Sequence, residues 1–166
     1  MDATQLSGAG MVTSQLAVDI ARAREVASKV VDPEIPVLSI DDLGILRGVE
    51  AVDDRVVVTI TPTYSGCPAM RQIESDISLA LAGAGFDRVE VRLALSPAWS
   101  SDWISPEGQR KLAAFGIAPP TPLEAVVCPK CASESPRVVA RFGSTACKAL
   151  MVCSACGEPF DYFKEF

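Results

Sequence analysis

Four cysteines near the end of the chain have the spacing that most strongly indicates chemistry. They form two Cys-x-x-Cys pairs, Cys128-Pro129-Lys130-Cys131 and Cys153-Ser154-Ala155-Cys156. Two thiolates on each of two tight turns, about twenty residues apart, make up a tetrathiolate metal site. The spacing is typical of a zinc ribbon, and it predicts that roughly the last forty residues form a metal-stapled module.

Other interpretations of these cysteines are four ordinary buried thiols or two disulfides in a secreted domain. The spacing favours a metal over both, because paired Cys-x-x-Cys turns are among the more specific sequence signals. The chain contains no histidine, so all four ligands are expected to be sulfur. We expect structural zinc, and a rubredoxin-like iron stays the alternative because tetrahedral thiolate geometry suits both ions.

Composition limits the remaining possibilities. The 166 residues, 49% of them apolar, suffice for a domain of about 100 residues and a smaller module. No charged and apolar leader opens the chain, and no apolar run approaches the roughly 18 residues of a membrane span. We therefore expect a cytoplasmic protein without membrane association, in which six cysteines serve as ligands or reactive thiols and not as disulfides.

The net charge of -6 is distributed unevenly. Residues 1–125 hold 10 basic and 17 acidic side chains, whereas residues 126–166 hold 5 and 4. Nucleic-acid binding depends largely on clustered lysine and arginine. The acidic first part and the lack of basic clusters therefore disfavour a nucleic-acid-binding ribbon.

Hydrophobic periodicity predicts the elements of the first domain. Apolar residues recur at helical spacing over residues 20–30, and that helix should stop at an Asp-Pro pair. Residues 45–52 and 56–61 are β-branched runs that indicate a hairpin. A second helical stripe follows, made of Met70, Ile73, Ile77 and Leu81.

Sequence signals also mark the end of this domain and the linker that joins it to the ribbon. Residues 89–93 alternate as a strand with one buried face, and Ser105 should cap a short helix. We expect an α/β (α+β) fold, with the order α-β-β-α-β in residues 16–118. The predicted organisation is a flexible terminus (1–15), this domain (16–118), a proline-rich linker (119–125) and the ribbon (126–166).

A second candidate for chemistry is Cys67, where a predicted strand gives way to a helix. With Pro68 as the first helical residue, the thiol would lie at the positive end of the helix dipole, near unpaired N–H groups. Such a position stabilises a thiolate, which is a nucleophile and a soft metal ligand. A buried, inert cysteine stays the alternative. A Cys-His catalytic pair is excluded because the chain has no histidine.

Three motifs of the first domain carry a family resemblance: Asp32-Pro33-Glu34-Ile35-Pro36, Asp42-Leu43-Gly44, and Pro62-Thr63-Tyr64-Ser65-Gly66-Cys67-Pro68-Ala69. They resemble the metal-sulfur cluster biosynthesis family, small α/β domains implicated in iron-sulfur assembly and cluster transfer. Together with the cysteine pairs and segments 143–149 and 159–164, they make residues 16–166 similar to the PaaD (PaaJ) family. That family supplies a subunit of the bacterial phenylacetyl-CoA epoxidase system.

The resemblance implies an accessory role in aerobic phenylacetate degradation, alongside a di-iron oxygenase and its flavin and iron-sulfur reductase. A chain without histidine cannot be the oxygenase, which needs Glu-x-x-His pairs. It also lacks a ferredoxin signature of the reductase. The implied task is to help the reductase acquire its [2Fe-2S] cluster or the oxygenase its iron. The alternative is a docking subunit that carries only structural zinc, and a homodimer is left open.

The same resemblance suggests roles for particular residues. Cys67 is the motif cysteine of the family and the candidate ligand of a transient cluster or iron, and Asp32 and Glu34 match its acidic loop. An ordinary helix-stop loop accounts equally well for the two acids. Cys147 can be a core cysteine, an alternative ligand or a second exchange thiol. We favour the core, and we expect Lys148 to face solvent.

Aromatic residues form two further groups. Trp99 and Trp103 lie four apart after the last predicted strand of the first domain. They would either cover the core or, if exposed, anchor a partner. The aromatic residues near the end of the chain should pack the small ribbon, which needs every apolar contact it has.

Overall fold

The computed structural model describes residues 19–166. The predicted flexible terminus (1–15) and the first residues of the predicted domain (16–18) lie outside these residues. Helix α1 occupies residues 19–28 of the described chain, so it ends before the Asp-Pro pair that was expected to stop it. No helix within residues 19–166 combines the length and apolar character needed to cross a membrane.

The elements after α1 form a three-stranded sheet and a helix. They are β1 Leu46–Val52, β2 Arg55–Ile60, α2 Met70–Gly83 and β3 Val89–Leu93. Strand β2 is central, antiparallel to β1 and parallel to β3. The predicted order α-β-β-α-β and the mixed α+β class are confirmed.

Local sequence explains these elements. The turn between β1 and β2 places Asp53 at φ 55°, a left-handed conformation that aspartate tolerates better than most residues. Helix α2 buries its predicted stripe, Met70, Ile73, Ile77 and Leu81. The predicted buried face of β3 is wrong at its end, because Leu93 is 51% exposed at the edge of the sheet.

A short helix follows as predicted, α3 Pro106–Phe115. The Gly108 N–H donates to the Ser105 hydroxyl oxygen at 2.9 Å, which caps the start of the helix. Gly116 ends it in the left-handed conformation at φ 89°. The chain then passes directly into a second sheet.

The second sheet contains the ribbon. Its strands are β4 Ile117–Ala118, β5 Pro136–Ala140, β6 Lys148–Cys153 and β7 Pro159–Phe163, in the order β4-β7-β6-β5. Strands β5, β6 and β7 are antiparallel neighbours, while β4 runs parallel to β7. Strand β4 thus adds residues ahead of the proline-rich segment to the ribbon sheet. The division of the chain at residues 119–125 stays a prediction.

The two sheets share part of a hydrophobic core, while most buried residues of the ribbon form a second cluster. Cys147 and Phe163 come from the ribbon but belong to the buried cluster that holds α1, α2 and the first sheet. Trp99 is 5% exposed, with its ring centroid 6.0 Å from that of Phe163, and its indole N–H donates to the Leu43 carbonyl at 2.9 Å. Trp99 therefore covers the core and is not an exposed anchor.

Gly44 provides a test of this packing. Its φ is 67°, and a Cβ there would lie 2.6 Å from the Cβ and carbonyl oxygen of Trp103. We expect Gly44→Ala to lower the free energy of unfolding by about 2–4 kcal/mol, because left-handed strain and overpacking add. Gly116→Ala is the control, since it has similar φ but nothing within 4 Å. It should cost about 1 kcal/mol in the same denaturant titration, and equal costs would contradict the packing argument.

Candidate metal centre and thiol pocket

The sulfur atoms of the four paired cysteines lie together. All four are within 4.8 Å of one another, and Cys128 and Cys153 are buried while Cys131 and Cys156 are exposed. The Cys128 and Cys156 sulfurs are 3.8 Å apart, and the Cys131 and Cys153 sulfurs are 3.6 Å apart. A tetrahedron with metal-sulfur bonds of about 2.3 Å has edges of about 3.8 Å. The residues therefore fit one tetrahedral ion.

The two cysteine turns have the same backbone structure. In the first, the Ala132 N–H donates to the Cys128 carbonyl at 2.9 Å; in the second, the Gly157 N–H donates to Cys153 at the same distance. Ala132 and Gly157 are both left-handed, at φ 58° and 75°. Each turn thus reverses the chain directly after its second cysteine. Because β6 and β7 flank the second turn, sheet pairing brings both turns to one end of the ribbon.

Local electrostatics favour thiolate formation at Cys153. Hydrogen bonds from the backbone N–H groups of Cys156 and, to a lesser extent, Ala155 lower the pKa of the Cys153 thiol to about 6. Burial acts in the opposite direction but has the smaller effect. The exposed Lys130 ammonium also pairs with Glu158 at 2.7 Å, which links the two turns at the surface. A metal ligand must be deprotonated, and these N–H groups favour that form at Cys153. At Cys131 the Ser133 N–H acts in the same direction, but the neighbouring thiols and burial raise the pKa of that thiol to about 12.

Cys147 is not part of this cluster. Within residues 19–166, one group of three or more side chains is placed to hold an ion, and it consists of the four paired cysteines. Cys147 is 8% exposed and lies in the shared core, with its sulfur 3.0 Å from the Thr145 hydroxyl oxygen. The structure therefore does not place it as an alternative ligand of the ribbon metal.

Cys67 lies on the loop that leads from β2 to α2. The prediction that Pro68 opens this helix is wrong, because α2 begins at Met70 with Ala69 as its N-cap. The Met70 N–H donates to the Cys67 carbonyl at 3.3 Å, so residues 68–69 form a separate turn before the helix. Cys67 is half-buried two residues ahead of the cap and not at the cap itself.

Cys67 opens onto a small pocket between the first domain and the ribbon. The first domain contributes Asp32, Glu34, Ile35, Leu43 and residues 63–64 and 67–69, and the ribbon contributes Thr145, Cys147 and Phe163. The enclosed space is about 20 Å³, roughly enough for one water molecule. Two thiols from separate parts of the sequence therefore share one cavity, which no local motif indicated.

The acidic loop reaches the same pocket. Asp32 is 8% exposed, and its Oδ1 accepts hydrogen bonds from the Glu34 and Ile35 N–H groups, both at 2.8 Å. Burial raises the pKa of Asp32, although these two N–H groups oppose the shift. Asp32 thus shapes the loop through its own backbone. Glu34 is exposed and lies at the rim of the pocket.

Tyr64 also faces the two thiols. Burial, followed by the neighbouring Cys67 thiol and then Cys147, raises the pKa of Tyr64 to about 12. Burial is likewise the main cause that raises the pKa of Cys147, against the Thr145 hydroxyl and the Lys148 charge. The tyrosine hydroxyl therefore stays protonated at neutral pH and is available as a hydrogen-bond donor.

The expectation that Lys148 faces solvent is wrong. Lys148 is only 5% exposed, and its ammonium group pairs with the Asp161 carboxylate at 3.0 Å. Lys148 opens β6 opposite Phe163, so strand pairing directs it inward, across to the neighbouring strand β7. The charge is tolerated there because Asp161 lies within reach on β7.

Comparison with known proteins agrees with this two-part structure. The family described as "Iron-sulfur cluster assembly protein" matches residues 20–93, and the PaaD zinc beta ribbon domain matches residues 118–164. A putative 1,2-phenylacetyl-CoA epoxidase subunit of Escherichia coli is 48% identical over 145 residues, which cover 82% of this chain and 87% of that protein.

Two further relatives match the first part. The Fe-S protein maturation auxiliary factor of Porphyromonas gingivalis is 36% identical over 85 residues, which cover 50% of this chain and 80% of that one. The crystal structure of a domain of unknown function, DUF59, from Bacillus anthracis superposes with a TM-score of 0.56 at 27% identity. It covers 60% of this chain and 96% of its own.

The fold and the cysteine cluster thus define an iron-sulfur-assembly-type domain joined to a four-cysteine ribbon. Identity of 48% across most of both chains narrows this class further. The chain belongs to the PaaD family of phenylacetyl-CoA epoxidase subunits, for which its ribbon domain is named. The family resemblance in the motifs around Asp32 and Cys67 is confirmed.

The cluster can be tested by removing one ligand. We expect Cys128→Ser to lose the ribbon metal and the near-ultraviolet circular dichroism of the ribbon aromatics, because a small ribbon depends on its metal for folding. Cys147→Ser is the matched control, since Cys147 lies outside the cluster. Elemental analysis of both proteins decides the matter, and retained metal in Cys128→Ser would contradict the assignment.

The buried ion pair gives a second test. Asp161→Asn leaves the Lys148 ammonium, whose side chain is 6% exposed, without its carboxylate. We expect the free energy of unfolding to fall by about 2–3 kcal/mol, less than for a fully buried pair because Asp161 is partly exposed. Glu25→Gln removes the carboxylate of the exposed Lys29 pair and should change stability little. Equal effects in urea titrations would argue against the buried pair.

Proposed function

We propose that this chain is an accessory subunit of a phenylacetyl-CoA epoxidase system that assists in assembling or delivering iron or an iron-sulfur cluster. The observation that carries the proposal is the pocket in which Cys67 faces Asp32, Glu34 and the ribbon. It lies where an assembly-type domain meets a PaaD-type ribbon. The relatives support it, one named as an epoxidase subunit and another as a maturation factor.

The two thiol sites suit different tasks. The ribbon offers four protein ligands at tetrahedral spacing, so an ion there has no open position. We propose structural zinc for this site. Cys67 stands outside it, half-buried on a loop, and can bind a soft metal through its thiolate and release it again. A handling role at Cys67 therefore does not require the ribbon metal to move.

The proposed role is non-catalytic, which the available side chains support. The chain has no histidine to act as a base or as an oxygenase ligand. None of the six cysteines forms a disulfide, as is usual in a reducing compartment, and the proposal includes a cytoplasmic location. The proposed partners are the reductase and oxygenase subunits, which carry the cluster and the iron. The acidic charge of -6 supports protein partners over nucleic acid.

The test is the state of the client proteins. We expect the reductase purified from cells with Cys67→Ser to hold several-fold less [2Fe-2S] cluster per chain than the reductase from wild-type cells. The reason is that serine lacks the soft sulfur ligand. Ultraviolet-visible absorption with iron and sulfide analysis measures the cluster. Iron content of the oxygenase is measured in parallel.

Ser65→Ala, two residues earlier on the same exposed loop, is the control and should leave both clients fully loaded. Zinc content of each variant confirms that the ribbon is intact. If the reductase and the oxygenase from Cys67→Ser cells are fully loaded and active, Cys67 has no role in delivering iron or a cluster. The chain would then be a docking subunit that carries only structural zinc.

A further inference from the structure

Two thiols from different parts of the chain line the same small pocket. Cys67 comes from the loop before α2, and Cys147 precedes β6 in the ribbon. From this arrangement we infer that Cys67 and Cys147 together hold a single ferrous ion, so that the ribbon completes the site. The inference rests on the proposed function and specifies its cargo and its second ligand.

The surroundings of the two thiols agree with a shared ligand role. Cys147 is 8% exposed and packs in the core against which Cys67 and Tyr64 also lie. Burial first, and the nearby charges of Asp32 and Cys67 after it, raise the pKa of Cys147. The two thiols line one pocket, and a cation between them would offset the repulsion of their thiolates.

The size of the pocket selects the cargo. Its enclosed space of about 20 Å³ accommodates one water-sized particle. A single ferrous ion is of this size, and both thiols line the space. The two irons and two sulfides of a [2Fe-2S] cluster do not fit unless the ribbon moves away. The pocket therefore favours ferrous ion over a preassembled cluster.

Binding is a simple exchange of protons for metal. Each thiol loses its proton to solvent, two iron-sulfur bonds form, and iron stays in the +2 state. No oxidant or reductant is required. The Tyr64 hydroxyl, with its pKa raised to about 12, remains protonated and can donate to a thiolate. The Lys148 charge also favours the thiolate form of Cys147.

The remaining coordination positions suit transfer. Asp32 Oδ1 accepts two backbone hydrogen bonds, so any contribution of this carboxylate to the ion would come through Oδ2. Two protein thiolates leave half of a tetrahedral shell unfilled. Because the ion itself fills a space of about 20 Å³, water or the thiolates of a receiving protein complete the shell only when the ribbon moves away. An ion held in this way is more labile than one in the four-cysteine ribbon, as delivery requires.

The experiment titrates zinc-filled protein with ferrous ion under anaerobic conditions, following thiolate-to-iron absorption and iron retained after desalting. Cys147→Val keeps an apolar side chain in the core and removes the thiol, and Cys147→Ser is a second replacement. We expect wild type to bind one iron beyond its zinc. Cys67→Ser, Cys147→Val and Cys147→Ser should each bind it at least ~10-fold more weakly, with zinc unchanged.

The outcomes separate this inference from the proposed function. If Cys67→Ser loses iron while both Cys147 variants bind normally, the two-thiol site is overturned and the handling role of Cys67 stands. If wild type binds no additional iron, the inference is also overturned, and the loading of client proteins decides the proposed function independently. X-ray absorption at the iron edge of wild type does not depend on variant folding. Two protein sulfur neighbours support the site, and one or none overturns it.

Discussion

The packing of Phe163 against Trp99 is the contact on which the arrangement of both thiol sites depends. Phe163 ends β7 of the ribbon, is 1% exposed, and belongs to the core of the first domain. Next to it, the Lys164 N–H donates to the Cys147 carbonyl at 2.9 Å. Docking of one aromatic side chain thus fixes the segment that carries Cys147 against the loop of Cys67.

The ribbon metal supports this arrangement from a distance. About forty residues cannot bury enough apolar surface to hold three antiparallel strands firmly, and a tetrathiolate ion joins the turns on either side of them. The second cysteine turn leads directly into β7, so the ion and Phe163 hold opposite ends of one strand. The four-cysteine site therefore helps to hold Cys147 beside the loop of Cys67. Under the proposed function, this separates stability, which needs tight coordination, from cargo exchange, which needs labile coordination.

Features determined by neighbouring residues were predictable from the sequence. The stripe of α2, the Ser105 cap and the two Cys-x-x-Cys turns each depend on spacing within a few residues. The motif around Cys67 marked a candidate site, whose role stays a prediction; that the loop lines a pocket was learned from the structure. The start of α2 was placed two residues early because a proline after a cysteine can open either a helix or a preceding turn.

Features set by long-range contacts were not predictable. The addition of β4 to the ribbon sheet, the burial of Lys148 and the shared cavity of Cys67 and Cys147 each join residues far apart in sequence. Cys147 had no spacing signal, since it belongs to neither cysteine pair. Cys147 lies beside the Cys67 loop only because the ribbon packs against the first domain, and a local residue pattern does not predict that packing.

The central claim is that iron cargo and structural metal occupy separate thiol sites. Anomalous diffraction from crystals of the zinc-filled protein soaked anaerobically in ferrous ion, recorded at the iron and zinc edges, tests it most directly. The account predicts an iron peak between the sulfurs of Cys67 and Cys147 and a zinc peak within the four-cysteine cluster. Iron found only in the four-cysteine cluster, or bound at neither thiol of the pocket, would contradict it.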